Sequence, residues 1–160
     1  MTHQPSLFPQ EQTERTSDDF YTPKWVFDAL GLTFEIDVAS PPDGPLFTPC
    51  RRYFTQADDG LAQPWEGLVW MNPPYSKPAP WVARWSEHGN GVALLPFTRG
   101  RWNATLWATG AKCALPKDGM KFHVPNQKRL LDSGPFMNLI WAIGDEAIEA
   151  LKASEIGAVR

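Results

Sequence analysis

Two continuous apolar runs, Gly67-Leu68-Val69-Trp70-Met71 and Gly91-Val92-Ala93-Leu94-Leu95-Pro96, limit what this chain can become. Neither run alternates polar with apolar residues, so each must be shielded from water on both sides, and each is the length of a strand. Strands of that kind belong to parallel sheets covered by helices on both faces. The first run is cut off by Asn72-Pro73-Pro74, where two prolines bring no N–H to a ladder.

Helical signals fall around these strands. Residues 22–31 open with Thr22 as N-cap and Pro23 in the first turn, carry Val26, Phe27 and Leu30 on one side, and stop at Gly31. Residues 80–88 place Trp81, Val82 and Trp85 on one face, residues 101–108 carry Trp102, Leu106 and Trp107, and residues 145–153 turn Ile148 and Leu151 inward. Trp81, Trp85, Trp102 and Trp107 are therefore expected in the core. Further strands are expected over residues 34–39, 53–55, 112–115 and 136–143, with a polar loop from 125 to 135. Strands alternating with helices predict an α/β fold, an open and mostly parallel sheet flanked by helices.

At 160 residues, 42% of them hydrophobic, the chain is sized for one domain. That domain is expected over residues 18–160, after a polar, flexible leader over 1–17. No apolar run approaches the roughly 18–20 residues of a membrane span, and the first residues lack the apolar centre of a signal peptide, so a cytoplasmic protein is expected. The two cysteines, Cys50 and Cys113, and the three histidines do not fall at metal-ligand spacing, so no metal site is expected. A disulfide between the cysteines is the weaker alternative.

The net charge of -3 argues against a general nucleic-acid coat, yet charge is segmented along the chain. Residues 1–75 hold 4 Lys/Arg against 11 Asp/Glu, whereas residues 76–130 hold 9 against 2. An acidic half followed by a basic segment suits one face for a cationic small molecule and another for phosphates. The alternative is a folded surface on which the segments mix.

In open α/β sheets, ligands bind beyond the carboxyl ends of the strands. There the chain has Asp37 with its turn, Asp58 and Asp59, and, directly after the first buried run, Asn72-Pro73-Pro74-Tyr75. An Asn oxygen and a following proline carbonyl can accept the two N–H bonds of a planar amine. They then steer its nitrogen toward tetrahedral geometry, while Tyr75 offers a face on which an extruded base stacks. The plainer reading is a proline turn closing a strand.

The ordered set Tyr21-Thr22-Pro23, Asp37-Val38-Ala39-Ser40, Asp58-Asp59-Gly60-Leu61 with Trp65, and Asn72-Pro73-Pro74-Tyr75-Ser76 resembles the small Dam-like DNA adenine methyltransferases of phages and prophages. The resemblance runs over most of the chain. It implies a compact Rossmann-like methyltransferase domain that uses S-adenosyl-L-methionine to methylate the exocyclic amine of adenine in DNA. The implied catalytic set is Asn72, Pro73, Pro74 and Tyr75. Tyr21, Thr22, Pro23, Asp37, Ala39, Asp58, Asp59 and Asn72 are implied around the cofactor, whose sulfonium and ammonium suit carboxylates. Tyr75, Ser76, Arg99, Arg101, Lys121 and Phe122 are implied around the substrate, Phe122 with a place in the core as its alternative. Lys117, Lys128 and Arg129 could also reach phosphates, or remain solvated surface charges.

One departure is the absence of a Gly-x-Gly loop after the first strand, where Asp37-Val38-Ala39-Ser40-Pro41 stands instead. With little chain beyond the catalytic core, target recognition rests on loops, on a partner protein or on self-association. The rival readings are methylation of cytosine, an RNA base or a glutamine amide, and a DNA-binding module of the same fold without turnover.

Overall fold

The computed structural model describes residues 21–123, 130–132 and 137–160. The leader expected over residues 1–17, the cations Lys128 and Arg129, and much of the expected 125–135 loop lie outside the described residues.

Six strands form the main sheet, in the order β2 (Cys50–Tyr53), β1 (Phe34–Asp37), β3 (Val69–Met71), β4 (Gly91–Pro96), β8 (Asn138–Ile143) and β5 (Lys112–Ala114). The pairs β1–β2, β1–β3 and β3–β4 are parallel, and β8 alone runs antiparallel, to both β4 and β5. The sheet is thus mostly parallel, as the two uninterrupted runs predict. A separate antiparallel hairpin joins β6 (Lys121–His123) to β7 (Leu130–Asp132).

Period-two alternation divides the buried side chains between the two faces of the sheet. Trp70, Val92, Leu94, Ile140 and Ala142 pack with α1 (Lys24–Leu30) and α4 (Asp145–Ala153). Val69, Met71, Ala93, Leu95, Leu139 and Trp141 pack with α2 (Ala79–His88) and α3 (Arg101–Trp107) on the other face. The helices are held by these stripes rather than by caps, since none of the four has a side-chain cap hydrogen bond.

Proline at the end of β4 is tolerated for a geometric reason. Phe97 N–H donates to the Met137 carbonyl at 2.6 Å, which makes the Pro96–Asn138 pair in the register a non-hydrogen-bonded one. β3 has already ended alongside Ala93, so neither neighbour asks Pro96 for an N–H.

Three local expectations are corrected. Pro23, not Thr22, occupies the N-cap position of α1, and Thr22 is buried for another purpose described below. Trp107 is 53% exposed, its edge against Trp141 at 4.9 Å and its indole N–H on Asn103, so it is not a core residue. Residues 130–132, inside the expected 125–135 loop, form the strand β7 paired with β6.

Candidate active site

The chain leaves β1 outward to β2 and then crosses back to β3 on the other side of β1. The point where the order reverses leaves a crevice beyond the carboxyl ends of β1 and β3, the place where open α/β sheets hold ligands. Asp37, the last residue of β1, pairs in register with Trp70, so Asp37 and Asn72 emerge side by side from adjacent parallel strands.

A small recess at this point is lined by Tyr21, Thr22, Asp37, Phe47, Thr48 and Asn72. Asp37 is 2% exposed, and its Oδ1 accepts the Ala39 N–H at 3.3 Å. Burial raises its carboxyl to about 7, partly offset by hydrogen bonds from Ala39 and Thr48. A carboxyl so placed gains from a cation docked against it. Burial, with the nearby Asp37 charge, pushes the Cys50 thiol up to about 11, so Cys50 stays protonated at neutral pH. Both cysteines are free.

Thr22, 6% exposed, accepts a hydrogen bond from Asn72 Nδ2 at 3.3 Å. An amide whose NH2 is engaged there turns its oxygen the other way, as an acceptor. Tyr21 fastens this segment to β6 through a pair of backbone hydrogen bonds with His123, at 2.8 and 3.0 Å. Pro23 is buried beside it and does not line the recess.

Asn72 and Ala39 also line a second, larger cleft of about 440 Å³ that continues past Thr55, Asp59, Leu61 and Trp81. This is the volume range of small-molecule and cofactor sites. Close approach of the chain is provided by Gly60, where a Cβ would collide with the Val38 carbonyl oxygen. Trp65 holds that glycine by donating its indole N–H to the Gly60 carbonyl at 2.8 Å, and stacks on Trp81 at 6.4 Å and 25°. Arg84 covers Trp65 at 5.0 Å from the ring centre. The expected pair Asp58 and Asp59 divides: Asp59 lines the cleft, whereas Asp58 closes a capping box with Thr55 on the short 3-10 turn Gln56–Asp58. Those Thr55 hydrogen bonds hold the exposed Asp58 carboxyl below its ordinary value.

Beyond the cleft the motif turns toward β8. Pro73 is buried, Pro74 and Ser76 line the cleft, and Lys77 N–H closes a turn on the Pro74 carbonyl at 3.2 Å. Tyr75 is half-buried, and its hydroxyl donates to Asn138 Oδ1 at 2.8 Å. Burial holds that hydroxyl well above the ordinary phenol range. Arg99 and Arg101 are exposed after β4 and Lys77 after β3, and none of the three is ion-paired within the described residues. Lys121 is exposed on β6.

Phe122 takes its core alternative: it is 3% exposed and packs among the residues of the α1 and α4 face. The large apolar side chains at the open edge are instead Phe97, 47% exposed, and its ladder partner Met137, 50% exposed. Asn138 and Phe97 were not singled out by the sequence reading. A buried Asn at the head of an otherwise apolar strand was the available signal for the first, and an aromatic just past a strand's carboxyl end for the second.

Among the described residues no group of His, Cys, Asp or Glu could hold a metal ion, and no helix is long and apolar enough to cross a membrane.

A mixed, mostly parallel six-stranded sheet between helices, with a cleft at its switch point, defines a Rossmann-like methyltransferase fold. Residues 10–96 match the family model of the DNA N-6-adenine-methyltransferases (Dam), and the chain belongs to that family. The DNA N-6-adenine-methyltransferase of Haemophilus phage HP1 (strain HP1c1) is 30% identical over 84 residues, which cover 49% of this chain and 47% of the phage protein. The chain thus matches about half the length of that curated relative. No solved structure matches it.

Proposed function

We propose that this protein transfers the methyl group of S-adenosyl-L-methionine to the exocyclic amine of adenine in DNA. The observation that carries the reading is Asn72: it lines both cavities at the switch point, beside the buried Asp37.

The residues present fit the cofactor. Asp37, buried, hydrogen-bonded by Ala39 and Thr48 and without an ion-pair partner among the described residues, suits the ammonium of the methionine part, and Thr22 and Tyr21 border the same recess. Asp59, Leu61 and Trp81 give the larger cleft a polar rim and an apolar wall suited to adenosine. When bound, S-adenosyl-L-methionine supplies an electrophilic methyl on sulfonium. Gly60 takes the place of the missing Gly-x-Gly loop by letting the backbone close on Val38.

Asn72 Oδ1 and the Pro73 carbonyl accept the two N–H bonds of the adenine amine, freeing its lone pair from the ring. With the cofactor held there, its methyl would pass to the freed nitrogen, leaving the neutral thioether, and the surplus proton would go from nitrogen to water. No covalent enzyme intermediate is needed, because orientation and fixed acceptors supply the rate. Tyr75 stacks on the extruded base, a contact worth ~1–3 kcal/mol. Phe97 and Met137 extend an apolar surface along the same edge, while Lys77, Arg99 and Arg101 reach phosphates.

The test is mass spectrometry of nucleosides after incubating unmethylated DNA of varied sequence with protein and cofactor. N6-methyladenine, lost in Asn72→Ala, is the expected result. Methyl found only in cytosine, RNA or protein overturns the choice of substrate, and DNA binding without cofactor binding would mark a module without turnover.

A further inference from the structure

The Tyr75 hydroxyl lies 2.8 Å from a side chain far along the chain, Asn138 on β8. Asn138 is 3% exposed in a strand otherwise composed of Leu139, Ile140, Trp141, Ala142 and Ile143. A polar group in such a strand loses stability unless it is hydrogen-bonded, so its presence calls for a specific partner. Alternation puts it on the face of Ile140 and Ala142, opposite Pro96 in a non-hydrogen-bonded pair, where facing side chains come closest. β4 holds the strand along its whole length, through the pair Pro96–Asn138, while β5 joins it from Ile140 to Ala142. β8 also lies outside residues 10–96, the segment matched by the family model.

We propose that Asn138 is a positioning residue for the methyl acceptor: by holding the Tyr75 hydroxyl it fixes where the ring lies on which the extruded base stacks. The inference rests on the proposed function of Tyr75. The swing of the side chain is restrained at its far end by the bond to Asn138, and Pro73 and Pro74 restrict the backbone before it. A ring held in advance need not be ordered when the base arrives, and the gain belongs to the chemical step and the base, not to the cofactor.

The experiment is a double-mutant cycle with Tyr75→Phe and Asn138→Leu, followed by methyl transfer from labelled cofactor to unmethylated DNA at saturating cofactor. Calorimetric titration with S-adenosyl-L-methionine runs alongside. Each single variant is expected to lower kcat by about 3- to 10-fold, the range of one hydrogen bond, with cofactor affinity unchanged. The double variant is expected to be no worse than the worse single one. Multiplying effects, or wild-type kcat in Tyr75→Phe, would overturn the proposal, and the second result stands even if Asn138→Leu fails to fold. A fall in melting temperature with kcat intact in Asn138→Leu would also overturn it, as a structural role only. Tyr75→Ala separates this from the parent reading: full transfer in that variant sinks the stacking role of Tyr75 itself.

Discussion

On the proposed reaction, replacing Asn72 by alanine removes one acceptor of the amine, and methyl transfer is expected to fall at least about 100-fold. Cofactor affinity should change little, so kcat, rather than the calorimetric Kd, carries the loss. Asp37→Asn should do the reverse, weakening S-adenosyl-L-methionine by about 10- to 100-fold, the range of a lost hydrogen bond to a charged group. Because the carboxyl is raised to about 7, wild-type affinity should rise as pH increases through that value, and the Asp37→Asn variant should show a flat profile. Stability moves oppositely: the unfolded chain ionises Asp37 near its ordinary 3.8 while the folded, ligand-free protein keeps the proton. Folding stability from this group therefore falls between roughly pH 4 and 7, and a melting series should show that slope diminished in Asp37→Asn. Asp37 and Asn72 were legible in the sequence because each ends a strand, where short-range pattern already fixes position. Phe122 and Thr22 were less so: a three-residue strand gives no periodicity to tell core from surface, and a Thr before a proline serves equally as cap or as partner for a distant amide.

The helices and the buried strands β1, β3 and β4 were legible from their apolar residues, whereas β2, mostly exposed, lies at Cys50–Tyr53 and not over the expected 53–55 because no apolar pattern marks it. The direction of β8 was not, since it depends on how the preceding connection returns rather than on the strand's own residues. The same holds for β6 and β7, whose short pairing is visible only in three dimensions. The segment between β2 and β3 was read for its carboxylates, yet its decisive residue is Gly60, set by contact with Val38 across the fold. Gly60→Ala should push this segment away, weakening cofactor binding by about 10-fold or more, on the scale of one lost well-placed hydrogen bond to a charged ligand. Isothermal titration would show it, and an unaltered Kd would mean that the cleft does not depend on that approach.

Across the molecule, one residue of the acidic first half and three of the basic second segment share the carboxyl ends of the strands. Asp37 ends β1, while Lys77, Arg99 and Arg101 emerge from the carboxyl ends of β3 and β4. DNA binding should therefore weaken with salt, and replacing both Arg99 and Arg101 by Ala should reduce the salt slope by about two if each meets a phosphate. Fluorescence anisotropy across a salt series measures it, and an unchanged slope removes these arginines from the interface. The stacked indoles of Trp65 and Trp81 add an optical consequence. Two such transitions at 6.4 Å and 25° couple, which gives the protein an intrinsic near-ultraviolet circular dichroism signal. Trp81 is also a wall of the cleft, so titration with S-adenosyl-L-methionine is expected to change that spectrum without a label, and an unchanged spectrum would place the ligand away from Trp81.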